Sequence, residues 1–327
     1  MAPAASTTRS SGVLATNLSA RRRVLVAAAA VGIAAFGLRF FAVKLQNALL
    51  YHPQPISGNR YYENVISASS KQLQSRGYKV EDLSYALQNQ SQKAILVRPL
   101  QSTVGCPLWV VFGGNAMVSA DWLPFCLQIL TKKDSSVAQP SFLLVDYPGY
   151  GDNSGLPSPA SALEASQEAL EQVLLHLKES PPSSVNLFGH SLGAAAAAQL
   201  AAKITRSEKF TLQPGKLVLS SPFLSIDAMA AVIIGNLLPR WFLRTLITHR
   251  WNNADTVPKA AAAGWEVSII HPEKDEIVPV QHGEELCKSI QAQGKTCILT
   301  KPQGCGHNDV VFESLPTYAK SLGLSRL

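Results

Sequence analysis

The chain has 327 residues, enough for one α/β body of about 250 residues once an N-terminal extension is set aside. At 46% hydrophobic and 16% charged, with Gly and Pro spread along its length, it is not a low-complexity or disordered chain. Its formal charge of +7 sits in the leader: residues 1–62 hold seven basic groups and no acid, leaving 22 basic against 22 acidic residues in the rest. A neutral body behind a basic leader points to targeting or membrane topology and argues against nucleic acid as a partner.

From Val24 to Val43 only Arg39 is charged, and the stretch follows the Arg21-Arg22-Arg23 cluster. Twenty helical residues just span a hydrocarbon core of about 30 Å. An uncleaved signal-anchor helix, a cleaved secretory or organellar leader, and a merely apolar N-terminal helix all fit, the acid-free Ser6–Ser11 start suiting a transit peptide as well. As an anchor, residues 24–43 would associate the protein with a membrane, and the flanking arginines would keep the N-terminus cytoplasmic with the body across the bilayer. Asn89-Gln90-Ser91 would then be open to a glycan.

Residues 1–48 therefore read as a basic leader with a membrane anchor or targeting segment, and 49–327 as the α/β body. Short β-branched runs predict strands at Lys79–Tyr85, Lys93–Arg98, Leu108–Phe112, Phe142–Asp146, Val185–Phe188, Lys216–Leu219, Glu266–Ile270 and Cys297–Thr300. The short Asn89–Gln92 connection suits a hairpin, so the first strand is expected to run antiparallel. Helices fit Ser161–Leu177, Leu192–Lys203, Val280–Gln293 and Val310–Leu322. This alternation predicts an α/β fold with a mainly parallel eight-stranded sheet covered on both faces. Residues 222–264, apolar but broken by Gly235 and Pro239, read as a small helical cap between two strands. That cap either packs on the body or lines an acyl-binding cleft or touches a membrane surface.

The five cysteines are odd in number and irregularly spaced, so buried thiols are expected rather than a disulfide framework or a zinc site. Asp146-Tyr147-Pro148-Gly149-Tyr150-Gly151 is glycine-rich but lacks the lysine of a phosphate-binding loop, and reads as a scaffold turn that helps shape the cleft.

Gly189-His190-Ser191-Leu192-Gly193 lies between a strand and an alanine-rich helix, the context in which G-x-S-x-G presents a nucleophile. The glycines are needed because strand and helix approach too closely there for side chains. A serine hydroxyl needs a base, and His307 in Gly304-Cys305-Gly306-His307-Asn308-Asp309 follows the last strand. His190 is expected to point away from the serine's face. The base in turn needs a carboxylate: Asp275 follows strand Glu266–Ile270, with Glu273, Glu276 and Asp227 as competitors, and gives the chain order Ser, Asp, His. Oxyanion donors are expected from the N–H groups of Asn115, in Phe112-Gly113-Gly114-Asn115-Ala116, and Leu192.

These residues, together with Leu49-Leu50-Tyr51-His52-Pro53, Leu143–Tyr147, Pro222–Ile226 and Gly306–Asp309, resemble the membrane-anchored abhydrolase-domain serine hydrolases of the α/β-hydrolase superfamily. The likeness runs through most of residues 45–325. It implies an α/β-hydrolase fold, no metal or organic cofactor, and small-molecule or lipid-linked ester or thioester substrates. The branch usually has His-Gly-Asn at the oxyanion turn, where Gly113 here replaces the histidine. The alternative to an enzyme is a catalytically weak ligand-binding protein on the same fold; peptidase activity is a third reading.

Overall fold

The β-branched runs pair into one eight-stranded sheet. The computed structural model describes residues 10–101, 105–130, 139–205, 213–235 and 237–324, apart from the side chains of residues 10–21, 24, 34, 35, 38 and 42. In chain order the elements are α1 (Ser10–Leu50), α2 (Arg60–Ser75), β1 (Tyr78–Leu87), β2 (Gln90–Pro99), β3 (Leu108–Phe112), α3 (Leu123–Ile129), β4 (Ser141–Val145), α4 (Pro159–His176), β5 (Val185–His190), α5 (Leu192–Ile204) and β6 (Pro214–Ser220). Then come α6 (Ile226–Ile233), α7 (Arg240–Leu246), α8 (Asn253–Ala262), β7 (Glu266–Ile270), α9 (Gln281–Gln291), β8 (Cys297–Thr300), α10 (Val310–Glu313) and α11 (Leu315–Leu322).

The spatial order is β1-β2-β4-β3-β5-β6-β7-β8. The Gln88-Asn89 turn, both residues at positive φ, closes the expected hairpin. β2 is the reversed strand, antiparallel to both β1 and β4, and all later pairs are parallel. The central strands β3 and β4 are buried at every residue because helices cover both faces. Asn89 stands exposed at the hairpin tip.

Helix α5 lies close against the sheet because its inner residues are Gly193 and a run of alanines from Ala194 to Ala198, all buried. Within residues 222–264, α8 packs on α5 and α9, while α6 and α7 pack chiefly on each other. The single C-terminal helix expected over Val310–Leu322 is instead two, α10 and α11. Pro316 in the first turn of α11 cannot donate a helical N–H, and the chain restarts at Leu315.

Two further expectations are corrected. Cys287 on α9 and Cys297 on β8 are joined in a disulfide with their Cα atoms 5.5 Å apart, whereas Cys126 and Cys305 are buried thiols. Irregular spacing hid the pair, because only the packing of α9 on β8 brings the two together. Residues 24–43 do lie in a helix, α1, but among the described residues no helix is long and apolar enough to cross a membrane. The transmembrane helix expected there is therefore not supported. The side chains of residues 24, 34, 35, 38 and 42 within that stretch, and most of the Ser6–Ser11 start, lie outside the described residues.

Candidate active site

Ser191 sits between the end of β5 and the start of α5 with φ 54° and ψ −114°. A non-glycine residue held there is strained, and the surroundings enforce it. Its N–H donates to the Ser220 carbonyl at 2.8 Å. The flanking glycines are obligatory: a Cβ on Gly189 would lie 2.0 Å from the Gly193 oxygen, and one on Gly193 would lie 2.3 Å from the Phe112 oxygen.

His307, in the loop between β8 and α10, places Nε2 3.0 Å from Ser191 Oγ. Its Nδ1 lies 2.8 Å from Oδ2 and 3.0 Å from Oδ1 of Asp275. The His307 side chain is only 4% exposed and that of Asp275 is fully buried. Oδ1 of Asp275 also accepts the N–H groups of Ile277 (3.0 Å) and Val278 (2.7 Å). His271 donates from Nε2 to the Val278 carbonyl at 2.8 Å and approaches Asp275 Oδ2 at 3.4 Å. Burial opposes the Asp275 charge, but the hydrogen bonds from His271 and His307 outweigh it and hold the carboxyl far below the usual carboxylate range. A deprotonated Asp275 accepting Nδ1–H leaves Nε2 as the acceptor facing the serine, the tautomer a general base needs.

Two of the competing carboxylates are engaged elsewhere. Asp227 binds Arg240 and Arg244, each at 3.0 Å. Glu276 accepts the His307 backbone N–H at 3.0 Å and fixes the loop rather than the ring. His190 was expected to face away from the serine, yet its ring centroid lies 5.0 Å from that of His307. Its Nδ1 meets Ser220 Oγ at 3.0 Å, and Ser220 Oγ meets the Tyr318 hydroxyl of α11 at 2.6 Å. Burial, and then the neighbouring His307, lower the His190 pKa to about 3, so an uncharged ring stands beside His307. Only its place next to Ser191 hinted at this. Cys305 instead lies against Ser314, at 3.6 Å.

The Gly113-Gly114-Asn115 turn is clamped carbonyl by carbonyl. Gly113 O accepts from the Tyr147 hydroxyl (2.7 Å), Gly114 O from the Met117 N–H (3.2 Å), and Asn115 O from both the Tyr150 hydroxyl (2.6 Å) and the His52 N–H (2.9 Å). In a trans peptide the N–H points opposite the carbonyl, so the Gly114–Met117 bond fixes the direction of the Asn115 N–H. The Leu192 N–H, at the first position of α5, has no carbonyl of its own helix to bond. A Cβ on Gly114 would lie 3.6 Å from Ser191 Cβ, so this turn adjoins Ser191. The scaffold turn Asp146–Gly151 thus supplies two tyrosines that hold the proposed donors.

The chain matches the profile described as "Alpha/beta hydrolase family" over residues 109–316, well over half its length. It belongs to the alpha/beta hydrolase family. An uncharacterized protein of Mycobacterium tuberculosis is 34% identical over 169 residues, 52% of this chain and 53% of that protein, so the chain spans about half the length of the first curated relatives it matches. Protein bem46 of Schizosaccharomyces pombe is 27% identical over 87% of this chain and 86% of its own. The Bos taurus lysophosphatidylserine lipase ABHD12 is 29% identical over 43% and 35%. Among solved structures, a bacterial heroin esterase superposes with a TM-score of 0.56 at 18% identity, covering 86% of this chain and 95% of that one. A membrane phospholipase A gives 0.52 at 15%, covering 93% and 98%. At these identities the structural likeness speaks for the fold.

In this alpha/beta hydrolase the glycine at position 113 has a steric reason: a Cβ there would lie 2.8 Å from Met117 Cβ. Beneath the tyrosine clamp, Asp146 accepts the Ser119 N–H at 2.7 Å and faces Ser119 Oγ at 2.5 Å. Burial pushes its carboxyl up to about 7, against the Ser119 hydrogen bonds and with Asp121 and Asp152 adding repulsion. The unfolded carboxyl titrates near 4. The folded protein therefore binds the extra proton between about pH 4 and about 7, and this group's contribution to stability falls as pH rises through that window. Asp146→Asn keeps the shape without the titration. Thermal unfolding from pH 4 to 8 is expected to show a shallower loss for the variant than for wild type; parallel curves would reject a buried acid at this position.

Proposed function

We propose that the protein is a serine hydrolase cleaving carboxylic ester or thioester bonds, with Ser191 as nucleophile, His307 as general base and Asp275 as the acid that orients it. The observation that carries this reading is the continuous relay from Asp275 Oδ2 through His307 to Ser191 Oγ, at 2.8 and 3.0 Å. Ser191 Oγ attacks the acyl carbon as its proton passes to His307 Nε2. The Asn115 and Leu192 N–H groups receive the oxyanion, where losing one donor costs about 3 kcal/mol of transition-state stabilisation. The leaving alcohol or thiol takes the proton from His307. Water then attacks the acyl-enzyme by the same route and frees Ser191. No step calls on a metal or organic cofactor.

Small-molecule or lipid-linked acyl esters are the substrate class. The lipase and phospholipase names carried by two of the relatives support the lipid-linked form. So does α1, whose residues Leu25, Val26, Val31, Ile33, Phe36, Phe40 and Phe41 turn apolar side chains to the outside and suit association of residues 24–43 with a membrane.

A fluorophosphonate probe, read by intact mass, is expected to add once to the wild type and not at all to Ser191→Ala. An ester and thioester panel then ranks substrates. Absence of an adduct on folded wild type would refute an activated serine and leave a ligand-binding protein on this fold.

A further inference from the structure

Exposed apolar residues normally scatter singly over a protein surface. Here Val232, Ile233, Leu237, Leu238 and Trp241 fall within ten residues at the apex of the α6–α7 pair, with Ile233 75%, Leu237 84% and Trp241 69% exposed. The base of the pair is well made. Ile226, Ala228, Ala231 and Leu243 are buried, and Asp227 ties Arg240 to Arg244. The apex is thus a projecting apolar surface on a fastened stem.

The C-terminal end of α1 is built onto the same unit. Gln46, a buried polar residue of α1, accepts with Oε1 from the Thr248 N–H (3.1 Å), the Thr248 hydroxyl (2.8 Å) and the His249 N–H (2.9 Å). The Tyr51 hydroxyl meets His249 Nδ1 at 2.8 Å and accepts from Trp251 Nε1 at 3.0 Å. The exposed Leu45 and Leu49 of α1, each within one turn of Gln46, therefore adjoin the α6–α7 unit. Charge follows one sign: residues 10–50 hold no acid, and residues 226–250 hold one, Asp227, against Arg240, Arg244 and Arg250.

We propose that the α6–α7 apex, together with the adjoining end of α1, docks on the surface of an anionic lipid bilayer. An apolar apex seats in the acyl boundary, the tryptophan belongs at its polar edge, and the surrounding cations meet acidic headgroups. This contact is additional to any made by residues 24–43. It is independent of the catalytic reading, because its readout requires no turnover. It also lies close to the chemistry, since the residue after Tyr51, His52, holds the Asn115 carbonyl.

Trp241 reports on the contact by itself: of the five tryptophans, Trp109, Trp122, Trp251 and Trp265 are buried. Full-length protein is mixed with phosphatidylcholine vesicles, with or without phosphatidylserine, whose acyl chains carry bromine near the headgroup. On the anionic vesicles the wild type is expected to blue-shift and lose emission to bromine, and Trp241→Phe to sediment with the vesicles while showing neither change. Lys44→Gln and Arg250→Gln should each weaken partition roughly fivefold on anionic vesicles and leave the thermal midpoint in place. Three results overturn the proposal: no sedimentation with vesicles, sedimentation with Trp241 still open to aqueous acrylamide, and equal partition on neutral vesicles. An emission shift that tracks protein concentration without lipid also overturns it, by assigning the apex to a second copy of the chain.

Discussion

Asp275→Asn is expected to lower ester turnover by roughly four orders of magnitude while the protein stays folded. The reason lies in which side of the carboxylate each neighbour uses. Oδ1 accepts two backbone N–H groups, from Ile277 and Val278, and Oδ2 receives His307 Nδ1–H. An asparagine must keep its oxygen toward the two backbone donors, because turning its NH2 there would set donor against donor. The NH2 then faces His307 Nδ1 and forces that nitrogen to accept. The ring proton moves to Nε2, which now donates toward Ser191 Oγ and no longer takes its proton. The measurement is kcat for a p-nitrophenyl ester beside the thermal midpoint. A loss of tenfold or less would remove Asp275 from the role and return the question to the other loop carboxylates.

What was legible in the sequence was local. The strands at Leu108–Phe112, Glu266–Ile270 and Cys297–Thr300 have the expected bounds, because short β-branched runs between turn residues have one way to pack in a covered sheet. The Gly-x-Ser-x-Gly turn was readable because its steric demand falls on the residues two positions to either side of the serine. Ser191, Asp275 and His307 could be named from chain order, and the structure brings Ser191 and Asp275 each within hydrogen-bond reach of His307.

What stayed hidden depends on partners far along the chain. The Ser220–Tyr318 contact joins residues 98 apart, and His190 owes its surroundings to it. Tyr147 and Tyr150 looked like parts of a scaffold turn, and their hydroxyls reach the oxyanion loop only because β3 and β4 pair in parallel and bring both loops to the same sheet edge. The Cys287–Cys297 bond likewise depends on α9 packing against β8. The break between α10 and α11 did have a local signal, Pro316, which the apolar periodicity of Val310–Leu322 outweighed.

Gly193→Ala is expected to be among the most damaging single-methyl changes in the body, costing more than about 4 kcal/mol of stability. The added carbon would lie 2.3 Å from the Phe112 oxygen, 2.6 Å from its carbonyl carbon and 2.7 Å from the Gly113 oxygen. All three are main-chain atoms of β3 and the oxyanion turn, so no rotamer relieves the clash. Helix α5 would have to lift from the sheet along a face of alanines whose burial depends on that approach. Lifting α5 also moves the Leu192 N–H and the strained Ser191 backbone, so activity should go before the fold does. Gly294→Ala is the matched control: its Cβ meets nothing within 4 Å, and its positive φ of 70° costs only the local strain of an alanine there, roughly 1 kcal/mol. Urea unfolding of the two variants separates the effects. If Gly193→Ala unfolds at the same urea concentration as Gly294→Ala, the close contact between α5 and β3 is not what holds the nucleophile turn in place.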